Sequence, residues 1–190
     1  MRLFAAVLPP EDATAELASA VAELKKLPDA HGLRWTGRPG WHFTLAFYGE
    51  VADELVPELS ARLERAARRT DPFELALRGG GRFGGRVLWV GTTGDVGTMR
   101  RLAERAEAAG RKAGVPMGEQ HHGYHPHLTL ARSRGSADFA PYAALLHDFA
   151  GRTWTVGDLR LVRSNLPGSG VPGEQPRYET FARWALGSGA

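Results

Sequence analysis

Apolar residues fall along this chain in two rhythms, and the changes from one to the other mark out the elements. Residues 2 to 8 are a short apolar run of the kind a buried strand shows. From Glu11 to Leu27 the apolar positions Leu17, Ala18, Val21 and Leu24 follow helical spacing, with Ala13 one turn earlier and Pro28 closing the segment. A second strand is predicted around Leu33 to Thr36, then a turn at Gly37-Arg38-Pro39-Gly40, then a strand from Trp41 to Gly49. In that strand a period of two sets Phe43, Leu45 and Phe47 on one face and His42 and Thr44 on the other. Asp53 is placed to cap a helix whose Leu55, Val56, Leu59, Leu63 and Ala66 share a face, and Phe73 to Leu77 alternates as a further strand.

The pattern then repeats. Shifted by 85 residues, Leu3-Phe4-Ala5 falls on Leu88-Trp89-Val90, the stripe 17, 18, 21, 24 falls on Leu102, Ala103, Ala106 and Ala109, and His42-x-Thr44 falls on His127-x-Thr129. Ala52-Asp53 falls on Ala137-Asp138, so one gap-free register relates residues 3–53 to 88–138 before it slips. Agreement at several elements points to an internal duplication, each copy reading strand, helix, strand, His-Thr strand, helix, strand. The expected fold is α+β and bilobal: two antiparallel sheets related by a pseudo-two-fold, helices outside, and a groove between the lobes. A single domain over 1–190 is expected, with a first repeat of about 2–78, a second of about 86–163 and C-terminal strands to 186. The glycine run 79–85 is read as the linker between copies. Trp154–Val162 and Tyr178–Leu186 are read as two strands joined by the loop Leu166 to Gly173.

Composition narrows the chemistry. With 43% hydrophobic residues, five Trp and eight Phe, 190 residues can bury a sizeable core. The absence of cysteine removes disulfides, thiolate zinc sites and a Cys nucleophile together. The N-terminal apolar stretch is too short for a signal peptide, and no run approaches the ~20 residues of a membrane span, so a soluble, cytoplasmic protein is expected. The net charge of +3 rests on 24 Lys and Arg, of which only Lys25, Lys26 and Lys112 are lysines. Arginine suits planar contacts to phosphate.

A duplicated fold brings equivalent residues face to face, so two His-Thr pairs meet over one cavity. Imidazole titrates near pH ~6.5, which lets one histidine be neutral while the other is protonated. Such a pair suits phosphodiester cleavage, one His taking a proton from the attacking oxygen and the other giving one to the leaving oxygen. The Thr hydroxyls can donate to the non-bridging oxygens. No metal or other cofactor is required. His125 and His127 form an H-x-H that invites a metal reading, but no carboxylate lies at comparable spacing and the first copy has Gly40 there. His121 and His122 read as loop residues near the groove mouth, and the glycine run lacks the Lys-Ser/Thr of a phosphate loop.

These residues carry a resemblance. His42-Phe43-Thr44-Leu45 and His127-Leu128-Thr129-Leu130 resemble the paired His-x-Thr-x motifs of the two-histidine (2H) phosphoesterase superfamily. Arg2-Leu3-Phe4-Ala5, HFTLAFYGE (42–50), Arg86-Val87-Leu88-Trp89, HPHLTLAR (125–132) and Leu161-Val162-Arg163-Ser164-Asn165-Leu166 followed by Tyr178 narrow it. Together they look like the LigT-like branch, the RNA 2',3'-cyclic phosphodiesterases first named 2'-5' RNA ligases. The resemblance implies hydrolysis of an RNA 2',3'-cyclic phosphate to a 2'-phosphomonoester, with reversible 2'-5' joining in some members. It implies His42 as proton donor, His127 as proton acceptor, and Thr44, Thr129 and Arg132 as phosphate contacts. Strict alternation puts Arg132 on the face opposite His127, so its part requires the strand to bend. Trp41, Tyr124 and Tyr178 are the aromatic candidates for stacking on a base. The expected partners are RNA ends, tRNA fragments among them, and a monomer without protein partners is expected. The alternatives are another 2H activity, on small cyclic nucleotides or 2'-5' oligonucleotides, and a non-catalytic module that binds RNA ends.

Overall fold

The computed structural model describes residues 1–119, 123–168, 170–171 and 174–187. The elements in order are β1 (Arg2–Val7), α1 (Glu11–Leu24), β2 (Arg34–Trp35), β3 (Phe43–Glu50), α2 (Val56–Arg68), β4 (Phe73–Phe83) and β5 (Val87–Gly94). There follow α3 (Val96–Lys112), β6 (Leu128–Arg132), α4 (Ala140–Leu146), β7 (Trp154–Val156), β8 (Asp158–Asn165) and β9 (Arg177–Ala185). The strands form two sheets, ordered β3-β1-β8-β9 and β2-β6-β5-β4-β7, in which every pairing is antiparallel. The arrangement β3-β1-β8 in one sheet is matched by β6-β5-β4 in the other, as a duplicated α+β fold requires.

Neither sheet is built from one half of the chain. β4 pairs with β5 in the second sheet, while β8 pairs with β1 in the first. The glycine run is therefore no linker: residues 79–83 are the second half of β4. Side chains across the hairpin explain the composition. A Cβ on Gly80 would sit 2.6 Å from Leu146 of α4, and one on Gly81 would sit 2.4 Å from the Trp89 ring. The stretch 154–162 is likewise not one strand. β7 joins β4 and β8 joins β1, with Gly157 between them as the chain passes from one sheet to the other.

Both His-Thr strands carry an extra residue directly after the Thr, and β3 carries a second at Tyr48, between the partners of Leu3 and Phe4. Ala5 and Ala6 of β1 pair with Ala46 and Thr44, and Leu88 and Trp89 of β5 pair with Ala131 and Thr129, so Leu45 and Leu130 are the inserted positions of two β-bulges. Both bulged leucines and the alanines after them are buried, and alternation is reversed beyond them. Phe47, expected in the core, is consequently 50% exposed, and Tyr48 points inward at 3%. Tyr48 donates its hydroxyl to the Ala106 carbonyl of α3 at 2.7 Å, and its ring lies where a Cβ on Gly110 would clash. The first strands do not keep the 85-residue shift: Ala46 pairs with Ala5 but Ala131 pairs with Leu88, a slip of two residues.

The core joins both sheets and the helices, with Leu3, Phe43, Leu75, Leu88 and Leu130 of the strands against Leu17, Leu59, Leu63 and Leu102 of α1, α2 and α3. Full burial of each such side chain stabilises the fold by roughly 1.5–3 kcal/mol. Capping departs from expectation. Asp53 opens a short 3₁₀ turn, Asp53–Leu55, without capping α2. Asp95 caps α3, accepting from the Thr98 N–H at 3.0 Å and the Thr98 hydroxyl at 2.7 Å. Among the described residues no helix is long and apolar enough to cross a membrane.

Candidate active site

The groove lies where the outer faces of β3 and β6 meet. His42 ends the turn before β3 and His127 the extended segment before β6, so each is fixed by backbone on one side and a sheet on the other. His42, Thr44, His127, Thr129 and Arg132 line one cavity of about 310 Å³ together with Gly40 and Tyr178. The walls are completed by Arg34 and Thr36, in and directly after β2, and by residues 174–176 before β9.

The two imidazoles are held in the same way. His42 Nδ1 lies 2.7 Å from the Gly40 carbonyl oxygen and His127 Nδ1 lies 2.9 Å from that of His125. A carbonyl only accepts, so Nδ1 carries the hydrogen in each ring and Nε2 is left for chemistry. His42 Nε2 is 2.9 Å from the Thr44 hydroxyl. Thus Gly40 and His125, which are equivalent in the repeat, do one job through their backbones.

Burial, the largest influence on both rings, lowers their pKa values below the ordinary 6.5. The carbonyl bonds oppose this by stabilising the imidazolium, and the positive charge of Arg132 and of a second histidine (His127 beside His42, His125 beside His127) lowers them further. His42 therefore senses His127 across the groove. Aromatic rings fix their planes: Phe4 lies 4.7 Å from His42 with Tyr178 at its edge, 5.4 Å away, and Phe83 meets His127 edge-on at 4.9 Å. Burial raises the Tyr178 hydroxyl pKa, against the pull of Arg132 and Arg2.

The bulge at Leu130 answers the difficulty with Arg132, because it returns that side chain to the face of His127. Its counterpart in the first copy is Phe47, over whose ring the Arg2 guanidinium sits at 4.8 Å. The two copies thus differ at this pair: Arg132 lines the cavity, while its counterpart is an exposed ring under the Arg2 guanidinium.

Two of the aromatic candidates are not in the groove. Trp41 is 6% exposed and packed in the core, its indole N–H donating to the Thr36 carbonyl at 3.1 Å. Tyr124 packs against the same core and donates its hydroxyl to the Thr44 carbonyl at 2.7 Å, a strut that ties the approach to β6 onto β3. Sequence reasoning missed Phe4, Phe83 and Arg34. An alternation signal exists for Phe4, which shares a face with Ala6 of β1 and lies opposite Phe47.

His125 stacks on His127 at 6.3 Å and 19° and abuts Trp89 at 4.9 Å, among aromatic rings. No group of three His, Asp or Glu that could hold a metal ion occurs among the described residues. His121 and His122 lie outside the described residues.

A model of the 2'-5' RNA ligase superfamily matches residues 9–167. The chain belongs to that superfamily. The chain is 32% identical over 172 residues to an RNA 2',3'-cyclic phosphodiesterase of Aeropyrum pernix, covering 85% of this chain and 93% of that protein. It is 32% identical over 198 residues to the protein of that name from Thermus thermophilus, covering 98% and 90%. Among solved structures it is similar to E. coli LigT complexed with 3'-AMP, with a TM-score of 0.77, 25% identity and 97% of each chain covered. The LigT-like resemblance carried by the two His-x-Thr-x motifs is borne out.

Proposed function

We propose that this protein hydrolyses RNA 2',3'-cyclic phosphate ends to 2'-phosphomonoesters, with His42 and His127 as an acid and base pair. The observation that carries the proposal is that both histidines, both threonines and one Arg line a single cavity, with each ring held through Nδ1 by a carbonyl. The names of the relatives from Aeropyrum pernix and Thermus thermophilus support the choice of substrate.

The cyclic phosphodiester sits between the histidines, its non-bridging oxygens accepting from Thr44 and Thr129 and facing the Arg132 guanidinium. His127 Nε2, unprotonated, takes a proton from water as the water oxygen bonds to phosphorus. The P–O3' bond breaks, and His42 Nε2–H gives its proton to the departing O3'. The product carries a 2'-phosphate and a free 3'-hydroxyl, and the proton gained by His127 and lost by His42 is exchanged with solvent. Lowered pKa values keep the base free, while the negative charge of the bound phosphate favours the protonated acid. Run with an RNA 5'-hydroxyl in place of water, the same transfers join two ends through a 2'-5' linkage, which is the activity the superfamily's name records.

The test is to incubate the protein with an oligoribonucleotide ending in a 2',3'-cyclic phosphate, in EDTA, and to locate the phosphate of the product. A 2'-phosphate is expected. A 3'-phosphate would mean that acid and base address the opposite oxygens, and binding without turnover would favour a module that only holds RNA ends.

A further inference from the structure

One arginine of the groove, Arg34, has no part in the chemistry above. In the pairing of β2 with β6, Arg34 stands directly opposite Arg132. Residues so placed in antiparallel strands project their side chains to the same face, and like charges there oppose the pairing. Trp35 shows which face this is. Its ring turns away from the groove to Tyr142, 6.2 Å off, and its indole N–H donates to the Ala30 carbonyl at 2.8 Å. Alternation therefore leaves Arg34 and Thr36 on the groove side, where both line the cavity with the two histidines.

Arg38, Arg62, Arg111 and Arg152 each have a carboxylate within 3.0 Å. Glu174 also lines the cavity. Two forked cations opposite each other on one face suit an anion of more than one charge. The reacting phosphate carries a single negative charge, which Arg132 and the Thr hydroxyls already answer.

An RNA end supplies a second charge of the right kind, the phosphodiester joining the terminal nucleoside to the chain before it. We propose that Arg34 binds that phosphodiester, so that the groove selects oligoribonucleotide ends over nucleoside 2',3'-cyclic monophosphates. The inference rests on the phosphodiesterase reading of the site.

Its test compares kcat/KM for three substrates: a nucleoside 2',3'-cyclic monophosphate, a dinucleotide with a 3'-terminal 2',3'-cyclic phosphate, and the same dinucleotide with an uncharged methylphosphonate internal linkage. For the wild type the charged dinucleotide is expected to exceed both others by roughly 10- to 100-fold, the worth of a charge-assisted hydrogen bond. In Arg34→Ala that ratio should fall to near one, and Arg34→Lys should keep part of it. A wild-type ratio near one, or a preference unchanged in Arg34→Ala, overturns the inference while leaving the hydrolysis itself standing. Equal losses on all three substrates in Arg34→Ala also overturn it, since Arg34 would then serve the reacting phosphate. No turnover of any substrate by the wild type overturns the phosphodiesterase reading and this inference with it.

Discussion

Leu45 and Leu130 occupy the extra position of a β-bulge in equivalent strands, each pointing into the core beside the alanine that follows it. The insertion re-aims everything beyond it, which is a recurrent use of bulges next to sites. Downstream of Leu130 it delivers Arg132 to the cavity beside His127, and downstream of Leu45 it turns Phe47 outward, opposite the Phe4 that packs on His42. Replacing Arg132 by Ala is expected to weaken phosphate binding, seen as a rise in KM, and to reduce turnover. Kinetics on a cyclic-phosphate end check it, and a variant with unaltered constants would remove Arg132 from the site.

The acidities of the two histidines are expected to be linked through the same guanidinium. Arg132 and the opposite ring both lower His42, so Arg132→Ala should let both imidazoles bind protons more readily. The pH profile of kcat/KM, which reports the free enzyme, should then move to higher pH on both limbs. A profile that keeps its position would show that burial alone sets these values.

Stability should depend on pH with a defined sign. His42 has a folded pKa below 6.5, so between those two values the unfolded chain binds more protons than the folded one. Stability is therefore full above pH ~6.5 and falls as pH drops through that window. Thermal unfolding from pH ~7.5 to ~5 should show a steeper loss for the wild type than for His42→Gln.

Thr44→Val and Thr129→Val keep shape and remove a hydroxyl. Each should lower kcat by roughly 10²-fold if the hydroxyl donates to developing charge. Thr44→Val should in addition move the pH profile, because the Thr44 hydroxyl touches His42 Nε2.

Gly81→Ala should destabilise by about 1–3 kcal/mol, because the new methyl group would overlap the Trp89 ring. Trp89 packs on His125, which holds His127 through its carbonyl, so kcat should fall as well. Denaturant unfolding together with turnover would separate the two effects.

How much of this could be read from residues alone depends on what each feature answers to. The duplication and the two His-Thr pairs were legible because they are written locally, in a strand's own alternation and in a repeated register. The bulges were not, since an inserted residue is defined by the partner strand: Leu45 and Leu130 look like ordinary inward positions until Ala5 and Leu88 are paired. The glycines of β4 looked like a linker because their cause, the side chains of Trp89 and Leu146, lies across the sheet and on α4. Trp41 and Tyr124 were legible as aromatic residues near the motifs, but which way a ring turns was settled by the core and by the carbonyls of Thr36 and Thr44. Arg34 was hidden by a two-residue strand whose partner is almost 100 residues away.

The central claim is that His42 and His127 work as one pair on a phosphodiester. Turnover and binding of an RNA ending in a 2',3'-cyclic phosphate, measured in EDTA for the wild type, His42→Ala and His127→Ala, test it most directly. Loss of a proton-transfer group should cost roughly 10²–10⁴-fold in kcat in either variant, with binding of the RNA end retained. Turnover that survives either substitution, or that EDTA abolishes in the wild type, would contradict the account.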